Sequence, residues 1–146
     1  MSPFLKIPLS LRAAYLAMHR QTNAQLADLG ITADQFVCLL VLADQRGMIQ
    51  KELAERATAD QNTIGAIVAL LEKKGYVKRA AHRRDKRAWF VTITPKGRAA
   101  TERGVAALRK VHARIKSRIS ELEAGVLNAL LGRLATTLLN ARTPGA

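Results

Sequence analysis

The chain has 146 residues, a formal net charge of +13 and a single cysteine. This length suits one domain, and the excess of positive charge predicts a polyanionic partner such as nucleic acid. One cysteine excludes an intrachain disulfide, and the separate positions of His19, His82 and His112 predict no metal site and no cofactor. No apolar run approaches the roughly 20 residues that span a bilayer, and no signal peptide is evident. We therefore expect a cytoplasmic protein that does not act at a membrane.

The first third of the chain predicts two helices. Apolar residues recur at intervals of three and four over residues 9–29, which indicates a helix closed by Gly30. Thr32 and Gln35 then form a capping box, the start signal for a second helix. The residues that we expect on the buried side of this second helix are Phe36, Leu39, Leu40 and Ala43.

The next segment has the pattern of a helix-turn-helix motif. A short helix is predicted over residues 50–56, and a tight connection leads to Asp60, a good N-cap. The following helix has one apolar stripe and stops at Gly75. Two short helices joined by a turn of a few residues define the motif.

From Tyr76 the apolar period changes to two, which predicts a β-hairpin with strands 76–81 and 88–94. Its tip, residues 82–87, contains the charge cluster Arg-Arg-Asp-Lys-Arg. Thr94 and Pro95 are start signals for a long basic helix that reaches about residue 119.

A second capping box, Ser120 with Glu123, starts a last helix with an apolar stripe. The first and last helices are apolar over more length than a small core can cover. This excess predicts a subunit interface.

The predicted fold is mainly α with a small β-hairpin wing. Its element order, together with the segments LEKKGYVKR, DKRAWFVTITPKG and ISELEAGVLNALLGRL, resembles the MarR family of winged helix-turn-helix transcriptional regulators. Composition and spacing alone indicate only a basic, helical domain with a hairpin. The resemblance implies one MarR-like domain over residues 1–146, with a winged helix-turn-helix lobe at 32–94 and dimerisation helices at 1–30 and 95–146. It further implies a homodimer that binds a palindromic double-stranded operator, and we expect a repressor.

The expected DNA contacts lie on the second helix of the motif and on the wing. Gln61 and Asn62 have amides that can pair bidentately with adenine, and Thr63 suits a phosphate or a thymine methyl group. Arg87 matches the family residue that enters the minor groove, and Asp85 would hold an arginine in position. The full predicted set is Lys51, Gln61, Asn62, Thr63, Gly65, Ala66, Lys73, Arg83, Arg84, Asp85, Lys86 and Arg87.

Several of these assignments have a plainer alternative. A charged loop tip is often only solvated surface, and Lys73 suits the C-terminal end of its own helix. Gly65 either allows close approach to the DNA groove or is a neutral substitution. Many family members carry arginine where this chain has Ala66, so strong guanine reading is not expected. Further phosphate candidates are Lys74, Lys78 and Arg79.

The resemblance also implies a small-molecule effector, with aromatic acids, phenols and related thioesters as frequent ligands. The lining is expected from the first, second and long helices, and Arg12 or His19 could pair with a carboxylate. An apolar stripe with one histidine is more often plain core. The predicted lining residues are Arg12, Tyr15, Met18, His19, Leu26, Phe36, Leu39 and Leu40.

Other function classes remain for comparison. A nonspecific nucleoid or RNA-binding protein would share the charge, but RNA readers stack bases on surface aromatic residues, which are scarce here. A thiol-based redox regulator would use Cys38, although no basic residue close in sequence lowers its pKa and a small hydrophobic role fits better. No convergent set of acids, bases or metal ligands is evident, so we do not expect an enzyme.

Overall fold

The computed structural model describes residues 1–85 and 87–140, which form helices and a small antiparallel sheet. The mainly helical fold with a hairpin wing is therefore confirmed. The chain divides into two compact units, residues 1–109 and the residues from Lys110 onward. The assignment of a single domain over residues 1–146 stays a prediction. In chain order the elements are α1 Pro3–Leu26, α2 Ala33–Ala43, β1 Met48–Ile49, α3 Gln50–Arg56, α4 Gln61–Lys73, β2 Val77–Ala81, β3 Trp89–Ile93, α5 Pro95–Ala107, α6 Arg109–Lys116 and α7 Glu121–Leu139.

Helix α1 begins earlier than the sequence pattern predicted. Ser2 caps it, because its hydroxyl accepts a hydrogen bond from the Phe4 N–H at 3.3 Å, and Pro3 takes the first helical position. Pro8 lies inside the helix, although it has no N–H to continue the hydrogen-bond ladder. The end agrees with the prediction, since a short 3₁₀ turn leads to Gly30 in the left-handed conformation, with φ of +66°.

The first unit folds around one apolar core. The largest fully buried side chains come from the helices α1 to α4 and from the sheet, and they are Leu26, Cys38, Leu39, Leu42, Leu53, Ile64, Val68, Leu71, Val77 and Val91. The capping box of Thr32 and Gln35 is present, with the Gln35 N–H donating to Thr32 Oγ1 at 3.1 Å. One burial prediction is wrong, because Leu40 is 42% exposed. It lies about 100° around the helix from the buried Leu39.

The wing is part of a three-stranded sheet with strand order β1, β3, β2. Strands β2 and β3 form the predicted hairpin, in register from Val77 opposite Ile93 to Ala81 opposite Trp89. Strand β1 pairs with the other edge of β3, with Met48 opposite Val91. The sequence did not predict β1, since two residues are too short to show an alternating pattern.

The long basic helix is interrupted at Leu108. Helix α5 begins as predicted, with Thr94 Oγ1 accepting from the Gly97 N–H at 3.0 Å, but it ends at Ala107. The Leu108 N–H is shared between the carbonyls of Gly104 and Val105, and α6 follows at once. The prediction of one continuous helix is corrected, because periodicity does not register a break of one residue. Gly104 also brings α5 against the ring of Phe36, where a Cβ atom would collide.

Helix α7 belongs to the second unit and has the predicted capping box, with the Glu123 N–H donating to Ser120 Oγ at 3.1 Å. None of the residues 121–139 is buried, and its apolar side chains include Leu122 and Leu138 with more than two thirds of their surface exposed. By length and composition α7 is also apolar enough to cross a membrane, which corrects the expectation that no segment reaches that length. Asn128 and Arg133 interrupt its apolar sequence, so the helix contains no unbroken apolar run of that length.

Candidate nucleic-acid interface

The first turn of α4 is exposed and tightly capped. Asp60 Oδ1 accepts from the Thr63 N–H at 2.8 Å, and Asp60 Oδ2 accepts from the Thr63 hydroxyl at 2.8 Å. These hydrogen bonds lower the pKa of Asp60, so its carboxylate stays charged and keeps the helix start in place. Gln61 and Asn62 are exposed there, as a base-reading role requires. The Thr63 hydroxyl proton is already used, so its methyl group is the part that remains for DNA.

The outer face of α4 continues from this turn through Ala66, Ala69 and Lys73, all of them exposed. Gly65 differs from the prediction because it is half-buried and faces α3. A Cβ atom at Gly65 would lie 3.2 Å from Nε2 of Gln50. The absent side chain therefore gives room to Gln50, an explanation that the sequence pattern could not show.

The wing tip is shaped by its own hydrogen bonds. The Arg87 N–H donates to Asp85 Oδ1 at 3.0 Å, and Arg87 Nε lies 3.5 Å from the same oxygen. Nδ1 of His82 accepts from the Arg84 N–H at 3.2 Å. Arg83 and Arg84 are exposed, and the Arg87 side chain is 94% exposed. Lys86, another predicted DNA contact, lies outside the described residues.

Predicted contacts from three elements meet around one surface groove of about 400 Å³. Lys51 comes from α3, Gln61 from α4, and Asp85 and Arg87 from the wing. Trp89 and Gln50 border the same groove and were missed from the sequence. Trp89 is 47% exposed, and an exposed tryptophan on a strand that begins next to a basic tip was the available signal.

Arg79 connects the wing to α4 through Glu72. Its backbone N–H donates to Glu72 Oε2 at 3.0 Å, and its Nη2 donates to Glu72 Oε1 at 3.3 Å. Its guanidinium carbon also lies 5.1 Å from the centre of the Trp89 ring. The Arg79 charge thus has partners within the protein, and its contact with a phosphate stays a prediction.

Lys74 also has hydrogen-bond partners within the protein, and its contact with a phosphate stays a prediction. Its ammonium donates to the Gly30 carbonyl, and to Gln35 Oε1 at 3.3 Å. These contacts join Lys74, just after the end of α4, to Gly30 in the turn after α1 and to Gln35 in α2. Lys51, Lys73 and Lys78 are exposed, as phosphate contacts must be.

The predicted ligand residues do not form a single group in the structure. Leu26, Phe36 and Leu39 are core residues, whereas Met18 and Leu40 are exposed, as is Arg12. Tyr15 stacks on His19, with 5.5 Å between the ring centres, and Tyr15 borders a cavity of about 230 Å³. A contact of these residues with a ligand stays a prediction.

Cys38 lies in the same cavity wall but is itself 1% exposed. Burial raises the pKa of its thiol to about 11, and the negative charge of Asp34 adds to the rise. The thiol is therefore protonated at neutral pH, and thiolate is the form that reacts with oxidants. This favours a packing role over redox sensing. Among residues 1–85 and 87–140, no His, Cys, Asp and Glu side chains are grouped to hold a metal ion.

Comparison with known proteins agrees with this geometry. The model of the MarR family matches residues 31–89, which include the helix-turn-helix and most of the wing. The transcriptional repressor Rv2887 of Mycobacterium tuberculosis is 30% identical over 116 residues, which cover 80% of this chain and 84% of the repressor. A mutant MarR from E. coli, complexed with operator DNA, is 25% identical with a TM-score of 0.78, covering 92% of this chain and 99% of that one.

A second similar structure is NadR in complex with 4-hydroxyphenylacetate, at 25% identity and a TM-score of 0.80, covering 92% of this chain and 96% of that one. These relatives are regulators of transcription and not enzymes. With the exposed helix, the cationic wing and the shared groove, they show that this chain belongs to the MarR family of DNA-binding transcriptional regulators.

Proposed function

We propose that the protein is a homodimeric repressor that binds a palindromic operator and releases it when a small ligand binds. The observation that supports this most is the groove where Lys51, Gln61 and Arg87 meet. It joins α4, the helix expected to read the DNA bases and called the reading helix below, to the wing on one cationic surface. A repressor among the relatives, and an operator complex among the similar structures, support the same function.

In this proposal the first turn of α4 lies in the major groove. Gln61 and Asn62 pair with adenine edges, while the Thr63 methyl and Ala66 contact thymine methyl groups. Gly65 keeps α4 close to Gln50 and adds no side chain of its own. Lys51 and Lys73 contact phosphates on either side of the reading helix, which positions the protein without reading sequence.

The wing tips flank the reading helices. Arg87, steadied by Asp85, enters the minor groove, where narrow A·T-rich walls concentrate negative potential. Arg83, Arg84 and Lys86 add attraction to the phosphate backbone. Because each contact displaces bound cations from the DNA, affinity falls steeply as salt rises.

The dimer is proposed to form through the terminal helices. Exposed apolar side chains on α1 and α7 form surfaces that a lone soluble chain rarely presents. A two-fold dimer places its two reading helices about one DNA turn apart, at roughly 34–36 Å. Such a protein acts in the cytoplasm, at the chromosome.

Ligand control is supported by two similar structures. One, 25% identical, concerns regulation of DNA binding of Bordetella bronchiseptica BpsR by 6-hydroxynicotinic acid, and the other is NadR with 4-hydroxyphenylacetate. We propose that a small ring compound likewise relieves operator binding here. Aromatic acids, phenols and their thioesters are the first compounds to screen, by the rise in melting temperature that binding causes.

The experiment is selection of bound DNA from a random library, followed by footprinting and sedimentation. The proposal expects a two-fold symmetric site with half-sites one turn apart, bound by a dimer. A single asymmetric site, or a monomer on DNA, contradicts the dimer model. Equal affinity for all duplexes would instead favour the second candidate, a nonspecific nucleic-acid-binding protein, to which the net charge of +13 also points.

A further inference from the structure

One cavity in the first unit touches both the helix-turn-helix motif and α1. Its volume is about 230 Å³, below the roughly 300–1,000 Å³ of pockets for drug-sized molecules, so it suits a compound with a single ring. Tyr15 of α1 forms one side, and Asp34 and Val37 of α2 form another. Thr58 in the turn of the motif and Thr63 in the first turn of α4 complete the wall.

The cavity wall has one formal charge. Ile64, Ile67 and Val37 supply apolar surface, the threonines and Tyr15 supply hydroxyl groups, and Asp34 supplies a carboxylate. None of the described residues that line it is a lysine, arginine or histidine. The negative charge of Asp34 acts on its neighbours in the wall, because it contributes to the raised pKa of the buried Cys38 thiol.

Helix starts often bind anions through their N–H groups, but at the starts of α2 and α4 several of these groups already donate to side chains of the protein. The Ala33 N–H donates to Asn23 Oδ1 at 2.7 Å, and the Gln35 N–H donates to Thr32 Oγ1. At α4, the Thr63 N–H donates to Asp60 Oδ1, and the Asp60 carboxylate is a second negative charge near the helix start. A carboxylate ligand would therefore lose its hydration and gain no cation from this wall.

We infer that this cavity binds a small aromatic amine, with its ammonium group facing Asp34 and its ring against Ile64 and Ile67. The inference rests on the ligand control proposed above and selects among ligands by charge. Tyr15 adds an aromatic ring beside the cavity, and ammonium groups are attracted to such rings. A neutral phenol fits less well, and an aromatic acid is the worst match.

The cavity reaches the DNA-reading turn directly. Thr63 and Ile64 line it, and they follow Gln61 and Asn62 in the same turn of α4. Thr58, another residue of the cavity wall, has a left-handed backbone, with φ of 55°, which is uncommon for a threonine. A ligand that binds more tightly to one conformation of this turn than to another changes operator affinity. The change equals the difference between the two binding free energies.

The test uses three compounds with the same ring and chain: 2-phenylethylamine, 2-phenylethanol and phenylacetate. Each is titrated into the full chain by calorimetry at neutral pH. We expect the amine to bind at least about ten-fold more tightly than the acid, with the alcohol between them. In Asp34→Asn, amine binding weakens about five-fold and approaches that of the alcohol. Asp28→Asn, which removes an exposed acid outside the cavity wall, leaves amine binding unchanged.

Equal or tighter binding of phenylacetate overturns the inference, as does amine binding that Asp34→Asn leaves unchanged or the failure of all three compounds to bind. Melting curves of both variants check that they fold. Operator affinity is measured in parallel, first without any compound. A protein that binds no operator even then contradicts the proposed function, while calorimetry still tests the cavity assignment. Amine binding that leaves operator affinity unchanged supports the cavity assignment and overturns ligand control of the operator.

Discussion

Helices α4 and α7 have the same kind of apolar stripe and opposite surroundings. On α4, Ile64, Val68 and Leu71 are fully buried, and the polar outer face is left for DNA. On α7, Leu130 is 45% exposed and no residue is buried. A stripe thus indicates that a helix face will be covered, but it does not say whether the same chain or a second chain covers it.

The largest effect is expected from removing a leucine on each helix. Leu71→Ala leaves a cavity in the core and should lower the free energy of unfolding by about 2–5 kcal/mol. Leu130→Ala should instead weaken subunit association, so its effect on stability depends on protein concentration. Denaturation at several protein concentrations separates the two. If both variants respond alike to concentration, the distinction between the helices is wrong.

The outer face of α4 provides the next effect. Asn62→Ala should reduce the preference for the cognate operator by about 1–3 kcal/mol at one position of each half-site. The proposed dimer should be unchanged, because Asn62 lies away from the terminal helices in sequence and is exposed. Competition binding with single-base operator variants measures this. Asn128→Ala on α7 is the control, and a similar loss of base preference there would contradict the assignment.

The wing gives a smaller effect that does not depend on sequence. Arg87→Ala should weaken binding to every duplex and reduce the salt dependence by about one phosphate contact, a slope change of about 0.9. Arg118→Ala, between α6 and α7, removes the same charge and should leave the slope almost unchanged. Titrations of each variant with DNA at several salt concentrations show whether the wing contacts phosphates.

The contact between Glu72 of α4 and Arg79 of the wing should have a smaller effect on operator affinity. Glu72→Gln weakens the hydrogen bonds to Arg79, and for this partly exposed pair we expect a loss of about 1 kcal/mol in operator affinity. Glu102→Gln on α5 is a matched exposed change and should have no effect. A shift in operator affinity without a shift in melting temperature would separate positioning of the wing from folding.

The last effect concerns Cys38 and is expected only at high pH. Its folded pKa of about 11 is above the ordinary value of 9.0, so the folded state holds its proton more tightly than the unfolded state. This contribution to stability is complete below pH 9 and is lost as pH rises from about 9 to 11. Cys38→Ala should therefore flatten the pH dependence of stability in that range and leave the slope near pH 7 unchanged. Loss of DNA binding in wild type under peroxide, with Cys38→Ser spared, would contradict the packing role.

Local chemistry explains which parts of the fold the sequence could predict. The caps at Thr32, Asp60, Thr94 and Ser120 depend on residues three positions away, and all four are confirmed. The strand β1 and the break at Leu108 were missed, because tertiary pairing and a single turn leave no periodic signal.

The candidate site was predictable where exposure alone decides. Gln61, Asn62 and Arg87 are exposed as expected. The partners of Arg79 and Lys74 within the protein were not predictable, because their contacts with Glu72 and Gly30 exist only in the folded chain. The cavity was also out of reach, since it depends on how α1 and α2 meet the turn before α4.

Lys74 follows the last residue of α4 and contacts Gly30, while Ile64, Val68 and Leu71 hold the helix against the core along its length. The 13 residues of this helix extend about 20 Å from the Lys74 end to the first turn, where Gln61 and Asn62 lie. A rotation of the helix by about 3° about the Lys74 end would therefore shift the first turn by about 1 Å, given a rise of about 1.5 Å per residue. Such a displacement is large enough to disturb a bidentate hydrogen bond to a base.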